Sequence, residues 1–192
     1  MTRHIILLGL LLTLFFVNTF ACDCDYNGPF LKMAQKANFV ALVKVERYST
    51  FSEFNEIPLS MEVEVIKTYK GKENRKIIKV WGDNGIQCRP YLSTFKVGQY
   101  YVIAFYSIDY DIEQSGEKKS DYFISVCGAY WLTIDFNIKT ATGDIDSKNR
   151  IESSITLTKL ESKLKKQAAN IQTNSRKSLR KIATIKAVNG GA

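Results

Sequence analysis

Four cysteines, Cys22, Cys24, Cys88 and Cys127, are the residues of this chain with the most distinctive chemistry. In an exported chain an even number of cysteines normally forms disulfides, and four cysteines allow three pairings. Cys22 and Cys24 are too close in sequence to bridge each other easily, so we expect each to pair with a distant partner. A redox or thiolate metal site is disfavoured, because no histidine or further cysteine accompanies them.

The first 21 residues have the three parts of a secretory signal peptide. A basic start precedes an apolar run over residues 5–17, and Thr19 and Ala21 are the small residues that signal peptidase requires. The run is too short to span a bilayer, which needs about 20 apolar residues. We therefore predict cleavage before Cys22, a secreted, extracellular or periplasmic protein, and no transmembrane segment after processing.

A lipoprotein is the alternative, because a cysteine at the cleavage point is what lipid attachment requires. Thr19 and Phe20 fit such a signal poorly. A lipid would also consume the Cys22 thiol that a disulfide needs. We therefore expect secretion rather than lipid anchoring.

The only histidine, His4, lies in the predicted signal peptide. The processed chain therefore lacks the residue needed for Ser-His-Asp or Cys-His catalysis and for a histidine metal ligand. We expect no enzymatic activity, no cofactor and no metal site of the chain's own.

The elements that position the cysteines are mostly strands. Helical spacing predicts a short helix over residues 30–37, and β-branched or alternating patterns predict strands at 39–45, 61–65, 77–80, 99–106, 122–126 and 129–136. Residues 107–121 are polar and acidic, which predicts a solvated loop. From Ile151 the apolar residues recur at helical intervals, which predicts a C-terminal helix packed across the strands.

The strand at 99–106 carries four aromatic residues, Tyr100, Tyr101, Phe105 and Tyr106. Such residues would suit a surface on which nucleic-acid bases stack. The signal peptide argues against this use, and aromatic residues in strands mostly pack in the core or across strands. We predict no nucleic-acid partner.

Six stretches stand in the order and spacing of a known module: Cys22-Asp23-Cys24, 37–45, 63–71, Val80-Trp81 leading to Cys88, 95–104, and 125–128. Together they resemble the netrin-like domain of the tissue inhibitors of metalloproteinases, of which only the N-terminal domain is matched. The resemblance covers about residues 22–165. It implies a mainly β fold, an OB-fold-like five-stranded barrel with flanking helices.

The resemblance also implies how the cysteines pair and where the domain ends. It implies disulfides Cys22–Cys88 and Cys24–Cys127, which would staple the N-terminus to two parts of the barrel. The netrin-like domain would occupy residues 22–165, and residues 166–192 would form a basic C-terminal tail or helix.

In the tissue inhibitors, the α-amine and carbonyl of the first cysteine chelate the catalytic zinc of a protease. The resemblance implies this role for Cys22, with Asp23, Cys24 and Asp25 contacting the protease. Asp23 would enter the primary specificity pocket, where an unpaired carboxylate costs several kcal/mol. A zinc metalloprotease partner would therefore need a basic pocket.

The charge of the chain suggests a second class of function. The formal net charge is +8, and much of the excess lies beyond Lys159. The plainer interpretation is a solvated helix face with a mobile tail. The alternative is a non-inhibitory adhesion or matrix-binding domain that holds acidic glycans or anionic surfaces.

Overall fold

The computed structural model describes residues 24–53, 56–109, 116–147, 151–170 and 173. The predicted signal peptide, Cys22, Asp23 and the predicted tail beyond residue 173 lie outside these residues. None of the helices in the described part of the chain is long and apolar enough to cross a membrane.

The described residues form two helices, eight strands and one short 3-10 turn. In chain order these are α1 (Phe30–Lys36), β1 (Phe39–Phe51), β2 (Pro58–Lys70), β3 (Ile77–Trp81), the 3-10 turn Leu92–Thr94, β4 (Tyr100–Ser107), β5 (Tyr122–Phe123), β6 (Trp131–Asp135), β7 (Thr140–Gly143), β8 (Ser153–Thr156) and α2 over residues 157–170.

Five of the strands close into a barrel. Strand β1 pairs with both β2 and β4, β2 pairs with β3, and the two residues of β5 join β3 to β4. The β3–β5 pair is parallel, whereas the other pairs of the ring are antiparallel. The structure thus confirms the predicted fold class, a mainly β, OB-like five-stranded barrel with flanking helices.

The core lies inside the barrel and also beneath the two helices. Every residue of β1 from Phe39 to Val43 is buried, because its inner face lines the barrel and its outer face is covered. Ala34 of α1, Val40 of β1 and Leu164 of α2 line one small cavity, which places both helices over this strand. Burying a leucine side chain such as that of Leu164 contributes roughly 1.5–3 kcal/mol to the stability of the folded state.

Three further strands extend the sheet beyond the barrel. Strand β6 pairs with β4, β7 with β6, and β8 with β7, all antiparallel. The helix predicted from Ile151 is therefore wrong in its first part, since Ser153–Thr156 is strand β8 and the helix begins at residue 157. The predicted C-terminal helix itself is present, with Leu160 and Leu164 in the core.

The predicted solvated loop at 107–121 is wrong at three of its described residues, Ile108, Glu117 and Asp121, which are buried, whereas Asp109, Gly116, Lys118, Lys119 and Ser120 are exposed as expected. Glu117 and Asp121 are only 3% and 6% exposed. The indole Nε1 of Trp81 donates to Oδ2 of Asp121 at 2.8 Å, and Arg89 donates to both carboxylate oxygens of Glu117. The carboxylates of Glu117 and Asp121 can be buried because each accepts hydrogen bonds from an enclosed side chain, Arg89 and Trp81 respectively.

Candidate protein-binding edge

Three chain segments that carry cysteines meet at one end of the barrel. The Sγ atoms of Cys24, Cys88 and Cys127 all lie within 4.8 Å of one another. Cys24 and Cys127 form the disulfide that the resemblance implies, with a Cα–Cα distance of 5.6 Å. Cys88 is also disulfide-bonded, and its predicted partner, Cys22, lies outside the described residues.

Backbone hydrogen bonds join the same three segments without using sulfur. The amide of Asn27 donates to the carbonyl of Cys127 at 2.7 Å, and the amide of Ala129 donates to that of Gly28 at 3.0 Å. The amide of Val126 donates to the carbonyl of Cys88 at 3.1 Å. The disulfide therefore reinforces an arrangement that the backbone also holds.

The segment from Cys24 to Pro29 is further anchored where it enters α1. The amides of Phe30 and Leu31 donate to the carbonyls of Asp144 and Ile145 at 2.8 and 3.0 Å. These amides belong to the first turn of a helix, which has no partners for them within the helix. The hydroxyl of Tyr26 donates to Oδ2 of Asp144. The strand β7 region thus fixes the direction of the N-terminal segment.

Gly128 lets the loop after Cys127 pass close to α1. A Cβ atom at this position would lie 2.8 Å from Sδ of Met33 and 3.1 Å from the carbonyl oxygen of Gly28. Met33 is fully buried and cannot give way without disturbing the core. Any larger residue at 128 would push the cysteine-bearing loop away from the N-terminal segment.

A buried ion pair supports the residue that follows Cys88. Nη1 and Nη2 of Arg89 each lie 2.9 Å from an oxygen of Glu117, and the two side chains are 10% and 2% exposed. The guanidinium also lies 4.6 Å from the ring centroid of Phe123. This contact ties the Cys88 loop to β5, the strand that closes the barrel.

We call the surface formed by residues 24–28, 83–91 and 125–131 the cysteine edge. It exposes three large apolar side chains: Ile86, Tyr91 and Val126 are 76%, 52% and 38% exposed. A cavity of about 470 Å³ opens between residues 83–91, Val126 and Trp131. Exposed apolar side chains around a shallow cavity are typical of a surface that binds another protein.

The predicted site residues are placed as follows. Cys24, Cys88 and Cys127 are half-buried and come together, while Asp25 is exposed beside them. Cys22 and Asp23 lie outside the described residues. Sequence reasoning missed Arg89 and Glu117, which are 28 positions apart, and the apolar residues of the edge, since no local pattern marks either feature.

No family model matches this chain, and no curated protein matches it. The resemblance to the netrin-like domain therefore rests on the six sequence stretches alone, and the family assignment stays a prediction.

Proposed function

We propose that this protein is a secreted binding module that inhibits a zinc metalloprotease through the α-amine and carbonyl of Cys22. The observation that carries the proposal is the convergence of Cys24, Cys88 and Cys127 at one edge. A chain of two residues spans at most about 7 Å. The Cys22 amine must therefore stay near this edge, beside the exposed apolar side chains that would contact the protease.

Chelation of the protease zinc requires of the inhibitor mainly an α-amine held in a fixed position. A catalytic zinc keeps one coordination position for water or substrate. An α-amino group has a pKa near 8 in free peptides, and a zinc ion facing it favours loss of the proton. The neutral amine then takes the position of the water that would attack the peptide bond.

Asp23 sets the kind of protease that fits. Its side chain would enter the primary specificity pocket, and a carboxylate buried there needs a positive partner. The proposed target is therefore a metalloprotease with an arginine or lysine in that pocket.

The test compares two chains that differ only before Cys22. One begins at Cys22 with a free amine, and the other carries a single alanine ahead of it. Both are assayed against a panel of zinc metalloproteases, including enzymes with basic specificity pockets, and both are checked for intact disulfides. We expect stoichiometric inhibition by the first chain and none by the second. Equal inhibition by both, or inhibition of no member by the first, contradicts the proposal.

The second candidate is a non-inhibitory domain that binds acidic glycans. It is favoured by the exposed lysines on the two neighbouring helices, which are Lys32, Lys36, Lys159, Lys165 and Lys166. Such binding would weaken as salt is added, since surface charges are screened beyond about 8–10 Å at physiological ionic strength. It would also be indifferent to the alanine before Cys22, which separates it from the inhibitor.

A further inference from the structure

We infer that reduction converts the cysteine edge into a metal site in which the thiolates of Cys24, Cys88 and Cys127 bind a thiophilic divalent cation such as Zn²⁺. The inference is independent of protease inhibition. It concerns the reduced chain, because the sulfur atoms of a disulfide carry no thiolate charge with which to bind a metal.

The sulfur positions are close to those that zinc requires. Zinc–sulfur bonds of about 2.3 Å in a tetrahedral site place the sulfur atoms about 3.8 Å apart. The three Sγ atoms already lie within 4.8 Å of one another. Once reduced, the Cys24 and Cys127 sulfur atoms would move apart by about 1.7 Å from their bonded distance, and the Cys88 sulfur would approach them by at most about 1 Å. Side-chain rotation supplies such movements, which would complete three of the four coordination positions. The fourth would be taken by water.

The backbone would keep these residues together after the disulfides are broken. The Asn27–Cys127, Ala129–Gly28 and Val126–Cys88 hydrogen bonds run directly between the three segments. The first turn of α1 adds two more anchors, from Phe30 and Leu31. The thiols would therefore remain neighbours in the folded chain, and metal binding would not have to offset the conformational entropy of bringing them together.

The electron balance of the step is simple. Each disulfide accepts two electrons and two protons from a dithiol reductant, which is itself oxidised to a disulfide. Each thiol then loses its proton to solvent as it binds the cation, so metal affinity rises with pH. The same cysteines form disulfides in the oxidised chain and bind the cation as thiolates in the reduced chain. A bound cation therefore opposes reoxidation to the disulfides.

The experiment uses Co²⁺ as the probe, added to the processed chain after reduction by a phosphine without oxygen. A phosphine is chosen because a dithiol would itself bind the metal. We expect a sulfur-to-cobalt charge-transfer band that Zn²⁺ abolishes, and no band before reduction. Circular dichroism of the same samples reports whether the barrel stays folded or is restored by the metal.

Four single variants make the test specific. Cys24→Ser, Cys88→Ser and Cys127→Ser should each weaken Co²⁺ binding at least about tenfold, the loss that even a supporting residue around a metal can cause. Ile138→Ser, at an exposed position outside the cysteine edge, is the control and should keep the affinity of the natural chain. Absence of the band overturns the inference. So does a band from a chain whose circular dichroism shows the barrel unfolded with the metal bound, which is the behaviour of an unstructured chain of thiols.

Discussion

The Arg89–Glu117 ion pair shows how strongly one residue can depend on another in this protein. Both side chains are nearly enclosed, so neither charge is stabilised by bulk water. Removing one partner of a buried pair typically costs about 3–5 kcal/mol, because the other charge is left uncompensated. Replacing both partners by apolar groups is often close to neutral.

We therefore expect Arg89→Met to lower the free energy of unfolding by about 3–5 kcal/mol, and Glu117→Leu to have a similar effect. The double variant, with Phe123 as an apolar neighbour, should be more stable than either single variant. Urea unfolding of the four proteins measures these differences. Additive losses in the double variant would show that the pair is not coupled.

Neighbouring hydrogen-bond donors stabilise the charge of Glu73. Hydrogen bonds from the Arg75 side chain at 3.0 and 2.6 Å lower the pKa of Glu73 from 4.5 to about 2, although partial burial opposes the change. The hydroxyl of Tyr122 also donates to Glu73 at 2.9 Å. The ionised carboxylate thus links the start of β3 to β5.

A pH prediction follows from this lowered pKa. The folded state holds the Glu73 proton more weakly than the unfolded chain, so its contribution to stability is complete above about pH 4.5 and is lost as the pH falls toward about 2. Glu73→Gln should therefore be less stable than the natural chain at neutral pH, and the difference should shrink in acid. Urea unfolding at several pH values measures it. A difference that is constant with pH would refute the prediction.

Helix α2 contacts the barrel through both apolar and polar side chains. Leu160 is fully buried and Leu164 is 4% exposed, and Glu161 accepts hydrogen bonds from Lys67 at 2.8 Å and Tyr69 at 3.1 Å. Burial, and after it the contact with Glu161, raise the pKa of Tyr69 above its usual value, so this hydroxyl stays a donor even in alkaline solution. The helix is thus held by an apolar stripe with a polar contact between its two leucines.

We expect Leu160→Ala to destabilise the protein by about 2–5 kcal/mol, the usual cost of a cavity in a well-packed core. Ser162→Ala is the control, because Ser162 is exposed on the same helix and should change stability by less than about 0.5 kcal/mol. Thermal unfolding of both variants provides the measurement. Similar unfolding of the two would mean that α2 does not pack on the barrel in solution.

The sequence predicts those elements that bury several apolar residues. The barrel strands β1 to β4 bury many residues, and their apolar patterns locate each of them. Strands β7 and β8 escape prediction because each is four residues long and buries one side chain, Ala141 in the first and Ile155 in the second. Ile151 and Ile155 have helical spacing, yet Ile151 is 59% exposed. The pairing with β7, which is not visible locally, decides the structure of that segment.

At the scale of the whole molecule, the Cys24–Cys127 disulfide closes a loop across most of the barrel, with a sequence separation of 103. In the chain-entropy model a loop of this size contributes about 4.7 kcal/mol. The pairing was implied by the resemblance and not by the residues themselves, because four cysteines allow three pairings. The backbone hydrogen bonds of the cysteine edge and the Arg89–Glu117 ion pair join residues far apart in the chain. They could not be predicted from the sequence, because tertiary packing brings their partners together.

We expect Cys24→Ala/Cys127→Ala to lower the free energy of unfolding by about 2–5 kcal/mol while the barrel still folds. Protease inhibition, if it is measured for the natural chain, should fall in this variant even under conditions where the variant is folded, because the N-terminus is held less firmly. Urea unfolding and the inhibition assay together test this. Full inhibition by a folded variant would show that the backbone bonds suffice.

The barrel closes through the two residues of β5, and this has a consequence for how the chain reaches its native state. Strand β5 pairs in parallel with Val80 and Trp81 of β3, which lie some forty positions earlier in the chain. The barrel therefore cannot close until Tyr122 and Phe123 have reached their places between β3 and β4. Contacts so distant in sequence give a high contact order, and such topologies fold slowly. During that interval the edges of β3 and β4 are unpaired and can pair with other chains. Aggregation during folding, more than loss of the finished structure, is therefore the hazard that this architecture carries.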